Sequence, residues 1–341
     1  MREERWQRTI ELGLVPPTTT LAPVHEDHRA WVDLSPEEQA IAAREMQVNA
    51  GMIEAADFHI GRLLDHLEAT GQLENTIVVV TSDNGPESGV TQLANPIANL
   101  LLSGIHRIEG FDTSPENMGL PGSLTAIGPE WASVSASPFN LYKFYSSEGG
   151  LRVPLVIAGP GVEARGILDA PVHVADLMPT LLDAAGVDYD ASALYGQSIL
   201  PVLAGQTTQT RADDEAFGVE VSGNAALYRG NWKLVRTALP RGDFTWRLFD
   251  LSVDPGETTD LSAEYPDLFE EMRAEYDAYA AETGVFDLGR EDYAEAQLFA
   301  NLLDRTVATY WPHLVGLVLA LLAGLFALFR LTRMVFRRKA A

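Results

Sequence analysis

Thr76-Ile77-Val78-Val79-Val80-Thr81 runs directly into Ser82-Asp83-Asn84-Gly85. Six β-branched residues in a row suit a strand buried on both faces, as in a parallel sheet, rather than one with alternating faces. Ahead of it, Ser35-Pro36-Glu37-Glu38 offers an N-cap, a proline at the first helical position and a capping-box glutamate. The helix it predicts reaches about Thr70 with an apolar stripe of Ile53, Ala56, Ile60, Leu63, Leu64 and Leu67, and Gly71 suits its C-terminal cap. Residues 1–34 read as irregular, with Pro16-Pro17, three threonines and Pro23.

After Gly85, residues 86–144 read as a long loop region rich in Gly, Pro, Ser and Asn. Val153–Ile157 is a second apolar run, closed by Gly159-Pro160-Gly161, and Asp176–Ala185 reads as a helix ended by Gly186. The composition then changes. Phe217–Ser222, Ala226–Arg229, Trp232–Thr237 and Arg247–Leu251 look like short strands joined by tight turns, followed by an amphipathic helix over Pro266–Glu282. Trp232 and Trp246 fit the core of that small sheet better than a ligand platform. The pattern predicts an α/β protein with a partial, mostly parallel sheet flanked by helices, then a small antiparallel sheet with a helix. The expected organisation is an α/β part over 1–210, an antiparallel α+β subdomain over 211–290 and a juxtamembrane linker over 291–309.

Tyr310–Phe329 carries no formal charge and is about long enough to cross a ~30 Å hydrocarbon core. Residues 330–341 follow with five basic residues and no acid. The positive-inside rule puts this tail in the cytoplasm and the globular part outside, in the periplasm if the source is bacterial. The competing assignment is a buried core helix. Yet Met1–Leu12 has no apolar signal region. The expectation is therefore a longer precursor whose front lies before Met1.

The formal net charge is −24. Setting aside the +5 tail leaves about −29, which repels polyanions and argues against a nucleic-acid partner. The chain has no cysteine, which excludes disulfides, thiolate metal sites and a cysteine nucleophile.

Two segments could carry chemistry. Asp83-Asn84 stands at the carboxyl end of a strand, where α/β ligands gather. A carboxylate beside an amide oxygen suits a hard cation, and Asp-Asn-Gly is equally ordinary turn chemistry. Lys143 precedes Glu148-Gly149-Gly150-Leu151-Arg152-Val153-Pro154. Lys143 could contact an anion while Glu148 and Arg152 pair to hold the loop, or all three could form a solvated salt bridge. His25, His28, His59, His66 and His173 fit packing or solvent exposure better than function.

Taken in order, these segments form a longer series. It continues through Asp176-Leu177-Met178-Pro179-Thr180, Tyr195-Gly196-Gln197-Ser198, Gly230-Asn231-Trp232-Lys233, Leu248-Phe249-Asp250-Leu251 and Asp254-Pro255-Gly256-Glu257. The series resembles the type I sulfatases, the arylsulfatase branch of the alkaline phosphatase superfamily. The resemblance covers nearly all of residues 1–285, and 1–75 and 116–139 look like the bacterial arylsulfatases in particular. It implies that Asp83 and Asn84 coordinate a Ca²⁺ ion, that Lys143 contacts the sulfate group, and that Glu148 and Arg152 are structural. It further implies a sulfate-ester small molecule or glycan as substrate.

The family's nucleophile is a formylglycine made from a Cys or Ser in a C/S-x-P-x-R motif, with a neighbouring aspartate pair completing the calcium site. Neither a cysteine nor a Ser-x-Pro-x-Arg occurs here. The reading is the C-terminal part of a membrane-anchored sulfuric ester hydrolase, inactive alone. Its alternatives are a phosphodiester or phosphonate hydrolase of the same superfamily, or a decayed, non-catalytic membrane-bound relative. An apolar sheet edge or face should then be exposed where the front half packs.

Overall fold

The computed structural model describes residues 1–89, 96–164, 166–289, 301, 304–305, 307–313, 315–316, 318–326 and 330. Residues 1–286 form one compact unit and 287–341 another. The helices of the first unit are α1 (Arg2–Glu11), α2 (Pro36–Ala69), α3 (Pro96–Ile108), α4 (Gly128–Ala136), α5 (Glu148–Leu151), α6 (Leu177–Ala184), α7 (Leu200–Leu203) and α8 (Pro266–Thr283). Its strands are β1 (Val78–Thr81), β2 (Leu155–Ala158), β3 (Ala216–Val221), β4 (Asn224–Arg229), β5 (Trp232–Arg236) and β6 (Trp246–Asp250).

The long helix forms as its caps dictate. Ser35 Oγ accepts from the Glu38 amide while the Glu38 carboxylate accepts from the Ser35 amide. Gly71 beyond its end takes φ +67°. Its apolar stripe, however, is largely exposed, with only Leu64 and Leu67 half-buried. No residue of α2 is buried, and Ile53 is 65% exposed and Phe58 64%.

The first sheet differs from the expected parallel one. β1 and β2 form a two-stranded antiparallel ribbon with Val78 opposite Ala158 and Thr81 opposite Leu155. A β-branched run marks a strand but not its direction, which the return path of the chain sets. All six strands pair antiparallel. The consequence is local: residues 82 onward leave the same end of the ribbon at which residues up to 154 arrive. The hydroxyl of Thr81 donates to the Pro154 carbonyl at that end (3.0 Å).

Two further expectations are corrected. Within 1–34, Arg2–Glu11 is helical: it is rich in Arg and Glu, good helix formers, with two acids in its first turn. Within 86–144, α3 and α4 interrupt the loop. Pro129 sits in the first turn of α4, where its missing N–H costs nothing.

The C-terminal lobe holds the expected short strands and tight turns: β3-β4-β5-β6 form an antiparallel meander. Side chains alternate across it. Ala225, Leu227, Leu234 and Leu248 pack with Met272 and Tyr276 of α8, with Trp232 and Trp246 at the margin. Each fully buried apolar side chain of this kind contributes about 1.5–3 kcal/mol. On the opposite face lie Ala226, Val235 and Phe249, in register with Tyr228 and Lys233. That second face is buried too, against the segment that follows Lys143.

In the second unit, Val307–Phe326 is a helix long and apolar enough to cross a membrane by length and composition. Apart from Arg330, the basic tail lies outside the described residues, as does most of the expected linker.

Candidate functional site

The two chemistry-bearing segments meet. The Gly85 amide donates to the Gly150 carbonyl (2.9 Å) and the Lys143 amide to the Pro86 carbonyl (3.1 Å). The contact leaves no slack, because a Cβ on Gly85 would stand 2.0 Å from the Gly149 carbonyl oxygen. Asp83 is exposed and Asn84 half-buried beside it, with the Ser82 hydroxyl donating to the Asn84 carbonyl (2.8 Å). The Lys143 side chain is half-buried, its ammonium 2.7 Å from Glu87 Oε2 in the loop that follows Asn84-Gly85. Leu141 and Phe144, on either side of Tyr142-Lys143, take φ +56° and +78°. Non-glycine residues rarely adopt that region, and such strain gathers at functional sites.

Glu148 has partners beyond Arg152. Arg152 Nη1 lies 3.7 Å from Glu148 Oε2. Closer are Lys233 Nζ at 2.8 Å and the Tyr228 hydroxyl, which donates at 2.7 Å. Lys233 also contacts Glu257 Oε1 at 2.7 Å, and the Glu148 amide donates to Glu257 Oε2 at 3.1 Å. Lys233 is fully buried with both carboxylates.

One lysine thus serves two buried acids. Burial alone would push Lys233 down, but Glu148 and Glu257 outweigh it and hold it above the ordinary lysine value. Burial lifts the Glu257 carboxyl to about 7, Lys233 opposing and the Glu148 charge adding to the rise. Burial works upward on Glu148 as well, yet Lys233 and Arg152 leave it below the usual range.

Sequence reasoning assigned no site role to Tyr228, nor to Lys233 and Glu257, although the last two stand in quoted motifs. A lysine in a short strand normally marks the solvent face. The available signal was its position between Trp232 and Leu234-Val235 in a strand with no other polar residue before Arg236.

A second buried pair orders α6. Arg211 donates twice to Asp176, at 2.6 and 2.9 Å, and Asp176 also accepts from the His173 and Gln197 amides. The five histidines named from the sequence divide between local contacts and exposed positions. His173 Nδ1 caps the turn at Ala175, His28 is buried against Tyr142, and His25 bonds to Asp27. His59 approaches Arg62 on an exposed face of α2, and His66 sits exposed in its last turn.

Asp83 and Asn84 offer oxygen donors of the right chemistry for a hard cation. Such an ion takes about 6–8 oxygens, and among the described residues no group of three His, Cys, Asp or Glu side chains is arranged to hold a metal. The fit is therefore one of donor type.

A sulfatase family profile matches residues 16–187. The chain belongs to the sulfatase family. A second profile, described as N-sulphoglucosamine sulphohydrolase, C-terminal, matches residues 140–281. An uncharacterized sulfatase of Schizosaccharomyces pombe is 34% identical over 295 residues, covering 84% of this chain and 52% of that protein. The arylsulfatase of Klebsiella aerogenes is 36% identical over 203 residues, covering 59% of this chain and 42% of that one. The chain thus spans about half the length of these relatives. The crystal structure of Ps i-CgsB in complex with k-i-k-neocarrahexaose superposes with a TM-score of 0.50 at 22% identity, covering 75% of this chain and 48% of that one. This last likeness concerns the sulfatase fold alone.

Proposed function

We propose that this sulfatase-family chain supplies the metal-side and sulfate-side clamps of a sulfuric ester hydrolase and does not hydrolyse sulfate esters unaided. The observation that carries the reading is the docking of the Asp83–Pro86 loop on the Lys143–Gly150 segment. It sets an oxygen-donor pair and an ammonium group on adjoining backbone. In this reading Asp83 and Asn84 hold a Ca²⁺ ion, which would neutralise charge on the sulfate oxygens. Lys143 exchanges Glu87 for a sulfate oxygen when substrate arrives. Such preset positive charge stabilises the anion that develops as the ester bond breaks.

Attack on sulfur needs a nucleophile in line with the leaving oxygen. The sequence has no Cys and no Ser-x-Pro-x-Arg from which a formylglycine could form. In this reading a nucleophile-bearing segment would pack on the largely exposed α2 stripe and the half-exposed ribbon, where Val156 is 58% exposed. A sulfate ester of a small molecule or glycan is the proposed substrate. The Val307–Phe326 helix is the proposed membrane anchor, with the globular unit outside the cytoplasm.

Calorimetric titration of the full chain in detergent micelles with Ca²⁺ and inorganic sulfate tests the clamps. Weak binding of both is expected. Asp83→Ala should abolish the calcium response, and Lys143→Ala should weaken sulfate binding. If both variants bind as the parent does, the assignment of these residues is wrong.

A further inference from the structure

We infer that the antiparallel lobe is the positioning platform of the candidate site, with Lys233 and Glu257 acting through the Glu148–Gly150 turn to hold the Asp83–Gly85 loop. This inference rests on the reading of Asp83 and Asn84 as the clamp. It deepens that reading by assigning a role to two residues far from the proposed ligands.

The segment between Lys143 and Leu151 is gripped by the lobe at four successive points. Asn224 Nδ2 donates to the Phe144 carbonyl (2.8 Å), and the Ser146 hydroxyl donates to the Ala225 carbonyl (3.0 Å). The Glu148 amide donates to Glu257 (3.1 Å), and the Glu148 carboxylate receives Lys233 and Tyr228. Ser146, Glu148, Lys233 and Glu257 are all buried. In a low-dielectric setting paired buried charges of this kind favour one arrangement, because displacement leaves a charge uncompensated.

Glu257 shows the same over-determination in its backbone. It stands at φ +55°, a conformation that non-glycine residues rarely adopt. The turn that imposes it is tied by Asp254, whose carboxylate accepts from the Thr258 and Thr259 amides. The strained turn aims the Glu257 side chain at both the Glu148 amide and Lys233.

From Glu148 the constraint passes to the site in a few bonds. The Gly149 amide donates to the Asn140 carbonyl, and the Gly150 carbonyl receives the Gly85 amide (both 2.9 Å). Gly85 cannot slide, because the Gly149 carbonyl occupies the space beside its Cα. A shift of the Glu148 turn must therefore move or release Asn84-Gly85. The direct partner of that turn on the catalytic side, Arg152, is the weaker one: its guanidinium stands 3.7 Å away and is partly exposed.

Hydrogen exchange read by mass spectrometry on the full chain in detergent micelles tests this, using peptides over residues 82–87, 143–151, 173–199 and 224–236. Glu257→Ala removes both the acceptor for the Glu148 amide and one carboxylate of Lys233. It should speed exchange in 82–87 about ten-fold or more, while 224–236 stays protected. Glu257→Gln restores an acceptor and should recover most of the protection. Arg211→Met cuts the other buried ion pair. It should open 173–199 and leave 82–87 unchanged.

Exchange in 82–87 that stays at the parent rate in Glu257→Ala, with 143–151 opened, overturns the inference. So does acceleration of 82–87 to the same degree in Arg211→Met, which would signal general loosening. These arms run without calcium. A calcium arm comparing parent with Asp83→Ala addresses the clamp itself: an identical response in both would sink the clamp and leave the backbone linkage standing.

Discussion

Lys233 Nζ lies 2.8 Å from Glu148 Oε1, a contact that joins residues 85 positions apart and ties the small sheet to the turn beneath the candidate site. The pair is buried, so its worth is felt when it is broken. Removing one partner of a buried pair costs about 3–5 kcal/mol, because the other charge is left without compensation. Lys233→Met leaves two carboxylates stranded. Urea denaturation should show a loss at the upper end of that range. A loss under about 1 kcal/mol would place the lysine in contact with water.

The pH dependence of stability should carry the mark of Glu257. Its carboxyl is raised by burial to about 7 from an ordinary 4.5, so the folded chain holds this proton more tightly than the unfolded one. The stabilisation is full below about pH 4.5 and is lost as pH rises through about 7. Glu148 works the other way, its contribution present above its ordinary value and lost on acidification. Glu257→Gln, which cannot titrate, should flatten the fall in stability between pH 5 and 8. Melting curves at a series of pH values measure it, and an unchanged slope contradicts the assignment.

Gly85→Ala tests the closeness of the two segments. The added methyl would meet the Gly149 carbonyl oxygen at 2.0 Å. Overpacking of this kind costs about 1–3 kcal/mol, and here the obstacle is backbone. Asp83→Ala, two residues earlier and exposed, should change stability by no more than about 0.5 kcal/mol. Equal effects of the two substitutions in chemical denaturation would contradict the docking described.

Ser35→Ala should cost about 1 kcal/mol by removing the cap of α2. Because α2 has no buried residue, fraying should spread along its first turns. Amide exchange across residues 36–42 would report it.

The elements that sequence shows well are those whose signals are local. The α2 capping box and the short strands and tight turns of β4–β6 need only neighbouring residues to be read, and both appear close to where the sequence put them. The direction of the β1–β2 ribbon depends on the route of seventy-odd intervening residues, so Val78–Thr81 showed a strand but not its partner's orientation. The N-terminal helix was hidden by the prolines and threonines that follow it.

At the site, Asp83, Asn84, Lys143 and Glu148 were visible through their motifs. Lys233 and Glu257 stood in motifs of the same series without an assigned role, since a charge in a strand and a glutamate in a Pro-Gly turn each have a commoner explanation at the surface. Only the fold brings those two together under Glu148.

The most direct measurement is hydrolysis of an aryl sulfate by the purified full chain with Ca²⁺ present. The account predicts release of sulfate at the uncatalysed rate, because the clamp residues have nothing of their own with which to attack sulfur. Sustained turnover that disappears in Asp83→Ala or Lys143→Ala would show that this polypeptide carries a nucleophile of its own, and would contradict it.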